Sequence, residues 1–158
     1  MMRTGIGYDC HRFAAGRRLV LGGVELQSER GLEGHSDADV LTHAIIDALL
    51  GAAALGDIGQ HFPDTDEHYR DANSIELLRQ TVEKLGASGY TIENVDATVM
   101  LERPRVSGMR EQIRDSLAEA LRMPAGQVSV KATRGEGIGF VGREEGAAAV
   151  AVATVTAT

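Results

Sequence analysis

The segment from Ala147 to Thr156 constrains the fold most strongly, because nearly every one of its positions is apolar. Its valines and threonines favour a β-strand. A strand that faces water on one side alternates apolar with polar residues, whereas a continuous apolar run is typical of a strand buried on both faces. We therefore expect both faces of this strand to be covered.

The rest of the chain intermingles strands with helices. Apolar alternation and β-branched residues predict four further strand regions, over residues 4–8, 18–26, 90–102 and 128–133. Apolar residues at helical spacing predict three helices, over residues 37–55, 73–86 and 108–122. The pattern indicates an α/β or α+β class with a mixed sheet, in a single domain over residues 1–158.

The first predicted helix carries a polar stripe beside its apolar face. Ser36, just before it, has a side chain typical of an N-cap. Asp39, His43 and Asp47 follow at every fourth position, so they share one side of the helix. We therefore expect Ser36 to start this helix and His43 to lie on one accessible side of it.

The composition excludes several classes of protein. A formal net charge of -7 argues against a general nucleic-acid binder, and no apolar run approaches the length of a membrane span. Cys10 is the only cysteine, which excludes an internal disulfide and fits a reducing compartment. We expect Cys10 to be a core residue. The N-terminus lacks the apolar core of a signal peptide, so we expect a cytoplasmic protein.

Asp9 and His11 flank a single residue and could share a metal ion with His43. On a strand, residues at i and i+2 point to the same face, so this carboxylate and imidazole can converge. A helix packed on that face could add His43. Two imidazoles and one carboxylate with a fourth position open form a common catalytic zinc arrangement. The alternative is that both histidines are ordinary hydrogen-bonded residues.

Two segments suit phosphate groups. His35 and Ser36 precede the first helix, and free amide groups at a helix N-terminus bind phosphate. The alternative is that Ser36 only caps the helix and His35 is a loop residue. In a later glycine-rich loop, Thr133 and Arg134 could bind phosphate oxygens and Glu136 could hold Mg²⁺. The alternative there is a flexible hairpin loop with solvated charges.

Two further segments carry polar groups that could meet a substrate. Asp57, Asp64 and Asp66 lie among turn formers, and such carboxylates usually cap turns. The functional alternative is that one of them accepts hydrogen bonds from polyol or ribose hydroxyls. Arg103 to Arg105 is either a surface turn or a turn whose backbone reads a base edge.

Longer motifs point to one enzyme family. Residues 36–51 read Ser-Asp-Ala-Asp-Val-Leu-Thr-His-Ala-Ile-Ile-Asp-Ala-Leu-Leu-Gly. This run closely resembles the 2-C-methyl-D-erythritol 2,4-cyclodiphosphate synthase family. Further matches occur in the same order with little insertion, over residues 5–11, 22–24, 55–59, 62–66, 94–96, 130–133 and 139–143. The resemblance therefore spans nearly the whole chain.

The resemblance implies a phosphorus–oxygen lyase of non-mevalonate isoprenoid biosynthesis. In such an enzyme the 2-phosphate of 4-diphosphocytidyl-2-C-methyl-D-erythritol 2-phosphate attacks the β-phosphorus, and CMP leaves as the cyclic diphosphate forms. It also implies one divalent metal ion per subunit, usually zinc, and Mg²⁺ or Mn²⁺ with the substrate diphosphate. The rival functions are a zinc phosphohydrolase and a non-catalytic trimeric binder of isoprenoid diphosphates.

The family's site residues carry over onto matching positions of this chain. Four positions match metal ligands: Asp9, His11 and His43 for the first ion, and Glu136 for the second. Three positions match groups expected to act on the phosphates: His35, Thr133 and Arg134. At Arg134 many members have a further threonine, and any role of that threonine in steadying the phosphoryl group must here pass to Thr133, the backbone or the Arg134 guanidinium. Further positions match substrate-binding residues: Ser36, Asp57, Ile58, Gly59, Phe62, Pro63, Asp64, Thr65, Asp66, Leu101, Pro104, Arg105, Val106, Ser107, Thr133, Phe140 and Arg143.

The resemblance finally implies an architecture and an assembly. The expected fold is an α+β sandwich, in which a four-stranded mixed sheet of ferredoxin-like topology carries helices on one face. The expected assembly is a homotrimer with active sites between subunits. Tyr8, Phe140 and Arg143 match residues beside a central cavity that is implied to hold an isoprenoid diphosphate. No nucleic-acid or membrane partner is expected.

Overall fold

Seven strands are present in the computed structural model, which describes residues 1–158. They are β1 (Met2–Ala15), β2 (Leu19–Leu21), β3 (Val24–Leu26), β4 (Arg30–Leu32), β5 (Tyr90–Met100), β6 (Val128–Thr133) and β7 (Gly146–Ala157). Five of them form one sheet in the order β4-β1-β7-β5-β6, and β2 and β3 form a separate hairpin. The sheet is mixed, because β7 pairs antiparallel with β1 and β5 whereas β5 and β6 are parallel.

Three long helices pack on one face of this sheet. The helices are α1 (Val40–Ala53), α2 (Ile58–His61), α3 (Ser74–Ala87), α4 (Arg110–Leu121) and α5 (Gly139–Gly142), with 3-10 turns at Glu67–Tyr69, Ser107–Met109 and Ala125–Gln127. α1 lies against β1 and β7 and has α3 on its other side, so 12 of its 14 residues are buried. No helix combines the length and apolar character needed to cross a membrane.

The predicted α+β class with a mixed sheet and helices on one face is confirmed. Four long strands carry the sheet, and the three-residue β4 extends its edge beyond the expected four. The chain order differs from a ferredoxin-like β-α-β-β-α-β order, since the long elements run β-α-α-β-α-β-β. The difference arises at β5 and β6. These two strands are parallel neighbours, so a hairpin cannot join them and the chain crosses over through α4 instead.

Two glycines bring β1 into direct contact with α1. A Cβ atom at Gly5 would overlap the carbonyl oxygen of Ala48, and one at Gly7 would overlap that of Ala44. No side chain separates the two backbones at these points. Because Asp9 and His11 follow on the same strand face, this close approach sets their distance from residues of α1.

α1 begins later than predicted. Its N-cap is Asp39, whose carboxylate accepts a hydrogen bond from the Thr42 amide at 3.0 Å. Ala38 has a left-handed backbone with φ 56°, so the helix cannot extend back through it to Ser36. The prediction that Ser36 caps the helix is therefore wrong. The sequence could not decide between the two residues, because serine and aspartate are both good caps and only the backbone conformation distinguishes them.

One face of the sheet is open within the chain. On β7, Ala149 and Ala151 face the helices and are buried, but Val152 on the other face is 38% exposed. Ile6 and Tyr8 of β1 are 70% and 54% exposed on that same open face. The expectation that both faces of β7 are covered is therefore not met by one chain, because all the long helices pack on one side.

Cys10 also lies on the open face of the sheet. It points away from Asp9 and His11, as the strand alternation predicts, but it is exposed. The prediction that Cys10 is a core residue is therefore wrong. The cause is the same as for β7: no long helix covers that side of β1, and only the short α5 borders it, through Phe140.

Candidate metal centre and substrate cavity

The predicted metal ligands converge at the junction of β1 and α1. Asp9 Oδ2 lies 2.8 Å from His11 Nε2 and 3.0 Å from His43 Nδ1, and the two nitrogens are 3.3 Å apart. Asp9 and His11 share one face of β1, and His43 faces them from the buried helix. All three donor atoms lie within 4.8 Å of one another.

The second nitrogen of each imidazole is already engaged elsewhere. His11 Nδ1 lies 2.9 Å from the carbonyl oxygen of Glu33 and must donate to it, since a carbonyl oxygen only accepts. His43 Nε2 lies 2.7 Å from the hydroxyl of Ser74 and 3.3 Å from that of Ser36. These contacts orient both rings and direct His11 Nε2 and His43 Nδ1 towards Asp9.

The three residues shift one another's protonation. Burial would raise the pKa of Asp9, but hydrogen bonds and charge from His11 and His43 outweigh burial and lower that pKa to about 2. Burial would lower the pKa of His43, but the hydrogen bond and charge of Asp9 outweigh it and raise that pKa. The Asp9 carboxylate and the His43 imidazole therefore stabilise each other's charged form.

The donor set fits a divalent metal ion. One carboxylate oxygen and two imidazole nitrogens already face a common point, and they are the ligand types that zinc and related ions take. Each imidazole also has the outer hydrogen bond that commonly accompanies metal-bound histidine. Three ligands leave room for a further group on the ion.

The cluster opens into a cavity of about 460 Å³. The cavity is lined by Asp9, His11, Gly34, His35, Ser36, His43, Asp47, Ile58, Gly59, Phe62, Asp64, Tyr69 and Leu77. Nine of these were predicted as site residues. Gly34, Asp47, Tyr69 and Leu77 were not predicted as such. Asp47 holds the α2 segment beside the cavity, since its carboxylate accepts from the Ile58 amide at 2.8 Å.

Two predicted loop carboxylates cap turns instead of facing the cavity. Asp57 accepts from the Gln60 amide at 2.9 Å and caps α2, and Asp66 accepts from the His68 amide at 2.9 Å. His35 Nε2 lies 3.0 Å from the carbonyl oxygen of Asp66, so the loop closes against the wall of the cavity. Pro63 and Thr65 lie in the same loop and do not line the cavity.

A second group of predicted residues lies at the ends of β5 and β6. The Leu101 amide donates to the carbonyl oxygen of Thr133 at 3.0 Å, which places segments 101–107 and 133–136 side by side. Glu102 joins them, because its carboxylate accepts from Arg134 Nη2 at 3.2 Å and from the Gly135 amide at 2.7 Å. None of these residues lines the cavity at Asp9.

The members of this second group differ in exposure. Leu101 and Val106 are buried and support the fold, whereas Arg105 and Ser107 are exposed. Pro104 follows a cis peptide bond. Glu136 is exposed, with a left-handed backbone of φ 53°. A single chain therefore holds two separate sets of predicted site residues.

Phe140 lies in α5 and Arg143 follows it directly. Phe140 is 39% exposed and lines a shallow depression with Cys10 and His11. Arg143 pairs with Glu145, with Nη2 and Oε2 2.9 Å apart. Neither residue lines the cavity at the metal ligands.

Comparisons with known proteins agree with these features. A family model described as the YgbB family matches residues 2–156. The chain is 60% identical over 154 residues to the 2-C-methyl-D-erythritol 2,4-cyclodiphosphate synthase of Salinibacter ruber, covering 98% of both chains. It is 56% identical over 154 residues to the synthase of the same name from Chlorobaculum tepidum, again covering 98% of both.

Solved structures share the fold. The bifunctional IspDF from Campylobacter jejuni matches with a TM-score of 0.96 at 40% identity, over 100% of this chain and 43% of that longer one. The IspF of Plasmodium falciparum, solved as a CDP complex, matches with a TM-score of 0.87 at 31% identity, over 99% and 97% of the two chains. The chain therefore belongs to the YgbB family, the family of the 2-C-methyl-D-erythritol 2,4-cyclodiphosphate synthases.

Proposed function

We propose that this protein is a cytoplasmic, metal-dependent 2-C-methyl-D-erythritol 2,4-cyclodiphosphate synthase of non-mevalonate isoprenoid biosynthesis. Its substrate is 4-diphosphocytidyl-2-C-methyl-D-erythritol 2-phosphate. An oxygen of the 2-phosphate forms a bond to the β-phosphorus, the bond from that phosphorus to the bridging oxygen breaks, and CMP leaves. The observation that carries the proposal is the Asp9–His11–His43 cluster at the base of a cavity, in a chain 60% identical to a synthase of that name.

Asp9, His11 and His43 would hold a divalent ion, which we propose to be zinc. When bound, such an ion acts as a Lewis acid that polarises phosphoryl oxygens and offsets their charge. This matters because the chain carries a net charge of -7 and would otherwise repel a polyanionic substrate. We assign Glu136 to a second ion, Mg²⁺ or Mn²⁺, that accompanies the substrate diphosphate.

The side chains around the cluster position phosphate groups without acting as a base. A phosphate nucleophile is already ionised at neutral pH, so phosphoryl transfer here needs orientation and charge neutralisation more than proton removal. His35 and Ser36 line the same cavity as the ligands and offer donors to phosphate oxygens.

Arg134 and Thr133 would stabilise the transferring phosphoryl group from the second set of residues. Arg134 stands where many family members carry a threonine, and its guanidinium is held by Glu102 through Nη2 alone. Guanidinium groups have five donors, so four remain for phosphate oxygens. Glu102 also fixes the Gly135 amide and thereby supports the turn that carries Thr133, Arg134 and Glu136.

The remaining predicted residues would hold the two ends of the substrate. We assign the ribose to Asp57, Ile58 and Gly59, and the methylerythritol unit to the loop of Phe62, Pro63, Asp64, Thr65 and Asp66. We assign the cytidine phosphate to the segment of Leu101, Pro104, Arg105, Val106 and Ser107. The CDP complex of the Plasmodium falciparum relative supports a cytidine-diphosphate ligand for this fold.

We further propose a homotrimer in which active sites form between subunits. The support is that one chain keeps residues 101–107 and 133–136 outside the cavity that contains the metal ligands. A neighbouring copy would bring the two sets together. An isoprenoid diphosphate could then bind in a central cavity beside Tyr8, Phe140 and Arg143, where Tyr8 and Phe140 are 54% and 39% exposed in the single chain.

A product assay tests the proposed function. The protein, loaded with zinc, is incubated with the cytidine-diphosphate substrate and Mg²⁺, and the products are identified by mass spectrometry. We expect CMP and the cyclic diphosphate in equal amounts, and we expect His43→Ala to lose both the bound zinc and turnover. His68→Ala is the matched control, since His68 is exposed and makes no contact with the cluster. Inorganic phosphate as the product would instead identify a zinc phosphohydrolase.

A further inference from the structure

Ser74, the first residue of α3, is fully buried and makes an unexpected contact with the metal centre. Its hydroxyl lies 2.7 Å from His43 Nε2, the ring nitrogen that points away from Asp9. On its other side the same hydroxyl contacts the carboxylate of Asp37. That carboxylate also accepts from the Ser74 amide at 3.0 Å. Asp37, Ser74 and His43 thus form a chain of hydrogen bonds that ends at the metal site.

The chemistry of these groups fixes the direction of each hydrogen bond. An ionised carboxylate can only accept, and a serine hydroxyl has a single proton to donate. The Ser74 proton is therefore directed to Asp37, which leaves the hydroxyl as an acceptor towards His43. His43 must then carry a proton on Nε2. In the neutral ring this leaves the Nδ1 lone pair free, and Nδ1 faces Asp9 Oδ2 at 3.0 Å.

We propose that Asp37 and Ser74 are positioning residues that hold His43 as the Nε2–H tautomer, with Nδ1 directed to the divalent metal ion. This inference rests on the metal site of the proposed function. Metal-binding histidines commonly donate their second nitrogen to a carboxylate or a carbonyl oxygen. Here a serine hydroxyl stands between the histidine and the carboxylate, and it links the ring on α1 to the first turn of α3.

A purely structural role for Asp37 and Ser74 is separable from this one. Asn73 caps the start of α3, since its side chain accepts from the Ile75 amide at 3.0 Å. Neither this bond nor the bond from the Ser74 amide to Asp37 Oδ2 involves the Ser74 hydroxyl. Ser74→Ala removes the hydroxyl and keeps the amide. The variant therefore leaves these backbone hydrogen bonds in place and removes the contacts of the hydroxyl with His43 and Asp37.

Zinc affinity tests the proposal. The metal-free protein is titrated with zinc against a chromophoric chelator, and folding is checked by circular dichroism. We expect Ser74→Ala to weaken zinc binding by about 10- to 100-fold, the usual effect of removing such an outer partner. Ser74→Thr keeps the hydroxyl and is expected to retain most of the affinity. Ser88→Ala, at the exposed end of the same helix, is the control and is expected to bind zinc like the unaltered protein.

Asp37→Asn provides a second, independent variant. The amide and the hydroxyl of Ser74 meet different oxygens of Asp37, and an asparagine replaces one of these acceptors with an NH₂ donor. We expect it also to weaken zinc binding by about tenfold or more. If Ser74→Ala fails to fold, this variant decides the outcome. Unchanged affinity in the folded variants, or an equal loss in Ser88→Ala, would overturn the proposal.

Long-range ¹H–¹⁵N NMR of the zinc-loaded protein reads the tautomer directly. We expect His43 to show a protonated Nε2 and a metal-bound Nδ1; the opposite assignment contradicts the proposal. The outcome is distinct from that of the product assay. A protein that makes the cyclic product but binds zinc equally well without the Ser74 hydroxyl keeps its function and loses this inference. A protein that needs the Ser74 hydroxyl to bind zinc but releases inorganic phosphate keeps this inference and loses the proposed function.

Discussion

Asp9 is the charged centre of the metal cluster, and its pKa reports the geometry of that cluster. Its carboxylate lies within 3.0 Å of a nitrogen from each histidine. Those contacts lower the pKa from 3.8 to about 2 although burial acts in the opposite direction. A carboxyl group with a lowered pKa stabilises the folded state above its unfolded-state pKa and loses that contribution as the pH falls through its folded-state pKa.

We therefore predict a specific pH dependence of stability in the metal-free protein. At pH 5 and above, Asp9 should add about 2 kcal/mol to the free energy of unfolding, and this contribution should be lost as the pH falls from about 5 to about 2. Urea unfolding of the unaltered protein and of Asp9→Asn measures this contribution, because the variant lacks the titrating group. We expect the difference between the two free energies to shrink by about that amount as the pH falls. A difference independent of pH would contradict the cluster geometry.

At this scale the sequence predicted that Asp9, His11 and His43 converge, but it missed the residues that support them. Asp9 and His11 were predictable because strand periodicity puts residues at i and i+2 on one face. Ser74 lies 31 positions from His43 and Glu102 lies 32 positions from Arg134. No local pattern marks such pairs, since a serine at the start of a helix and a glutamate at the end of a strand are both ordinary. Only the tertiary fold brings them into contact.

At the scale of elements, the packing of α1 on β1 determines where His43 lies relative to Asp9. Gly7 allows the two backbones to touch, because a Cβ at that position would overlap the carbonyl oxygen of Ala44. Ala44 is the residue next to His43. A change in this helix–strand distance must therefore move one ligand away from the other two.

We predict that Gly7→Ala weakens both the fold and the metal site. Forcing a methyl group between two packed backbones typically costs about 1–3 kcal/mol. Thermal unfolding of the metal-free protein and zinc titration should both show the loss. Gly86→Ala is the matched control, because Gly86 lies in α3 with nothing within 4 Å of its would-be Cβ. That control should be neutral or stabilising by up to about 1 kcal/mol. Equal behaviour of the two variants would argue against the close contact.

The sequence predicted the long elements well and their ends less well. The strand over residues 128–133 was predicted at its observed bounds, and the other long strands and helices were found with shifted ends. The start of α1 was misassigned to Ser36, since Asp39 has equal capping ability and the deciding feature is the backbone of Ala38. The four-residue helices α2 and α5 were missed, because so few residues carry no helical period.

At the scale of the whole molecule, the open face of the sheet is the feature that one chain leaves unexplained. Ile6, Tyr8 and Val152 expose apolar surface there. The apolar run of β7 predicted a strand covered on both faces, and the fold covers only one. A sequence cannot show whether an apolar strand face is buried by helices of the same chain or by another copy of the chain. The proposed trimer would bury the face that the helices leave exposed.

We predict that Ile6→Asp dissociates this assembly. Light scattering should give the unaltered protein a mass of three times 16.8 kDa and give the variant the mass of one chain. The monomer should still bind zinc, because all three ligands belong to one chain, but it should lose turnover. Gln112→Asp, on the exposed side of α4, is the control and should stay trimeric and active. A fully active monomer would contradict active sites shared between subunits.

The central claim is that the site joins two phosphates of one substrate and activates no water. Turnover in ¹⁸O-labelled water tests it most directly, because cyclisation breaks and forms bonds only among oxygens that the substrate already carries. We predict that mass spectrometry finds no ¹⁸O in either the cyclic diphosphate or the CMP. One ¹⁸O atom in CMP or in a released phosphate would show that water attacks phosphorus, and it would contradict the account.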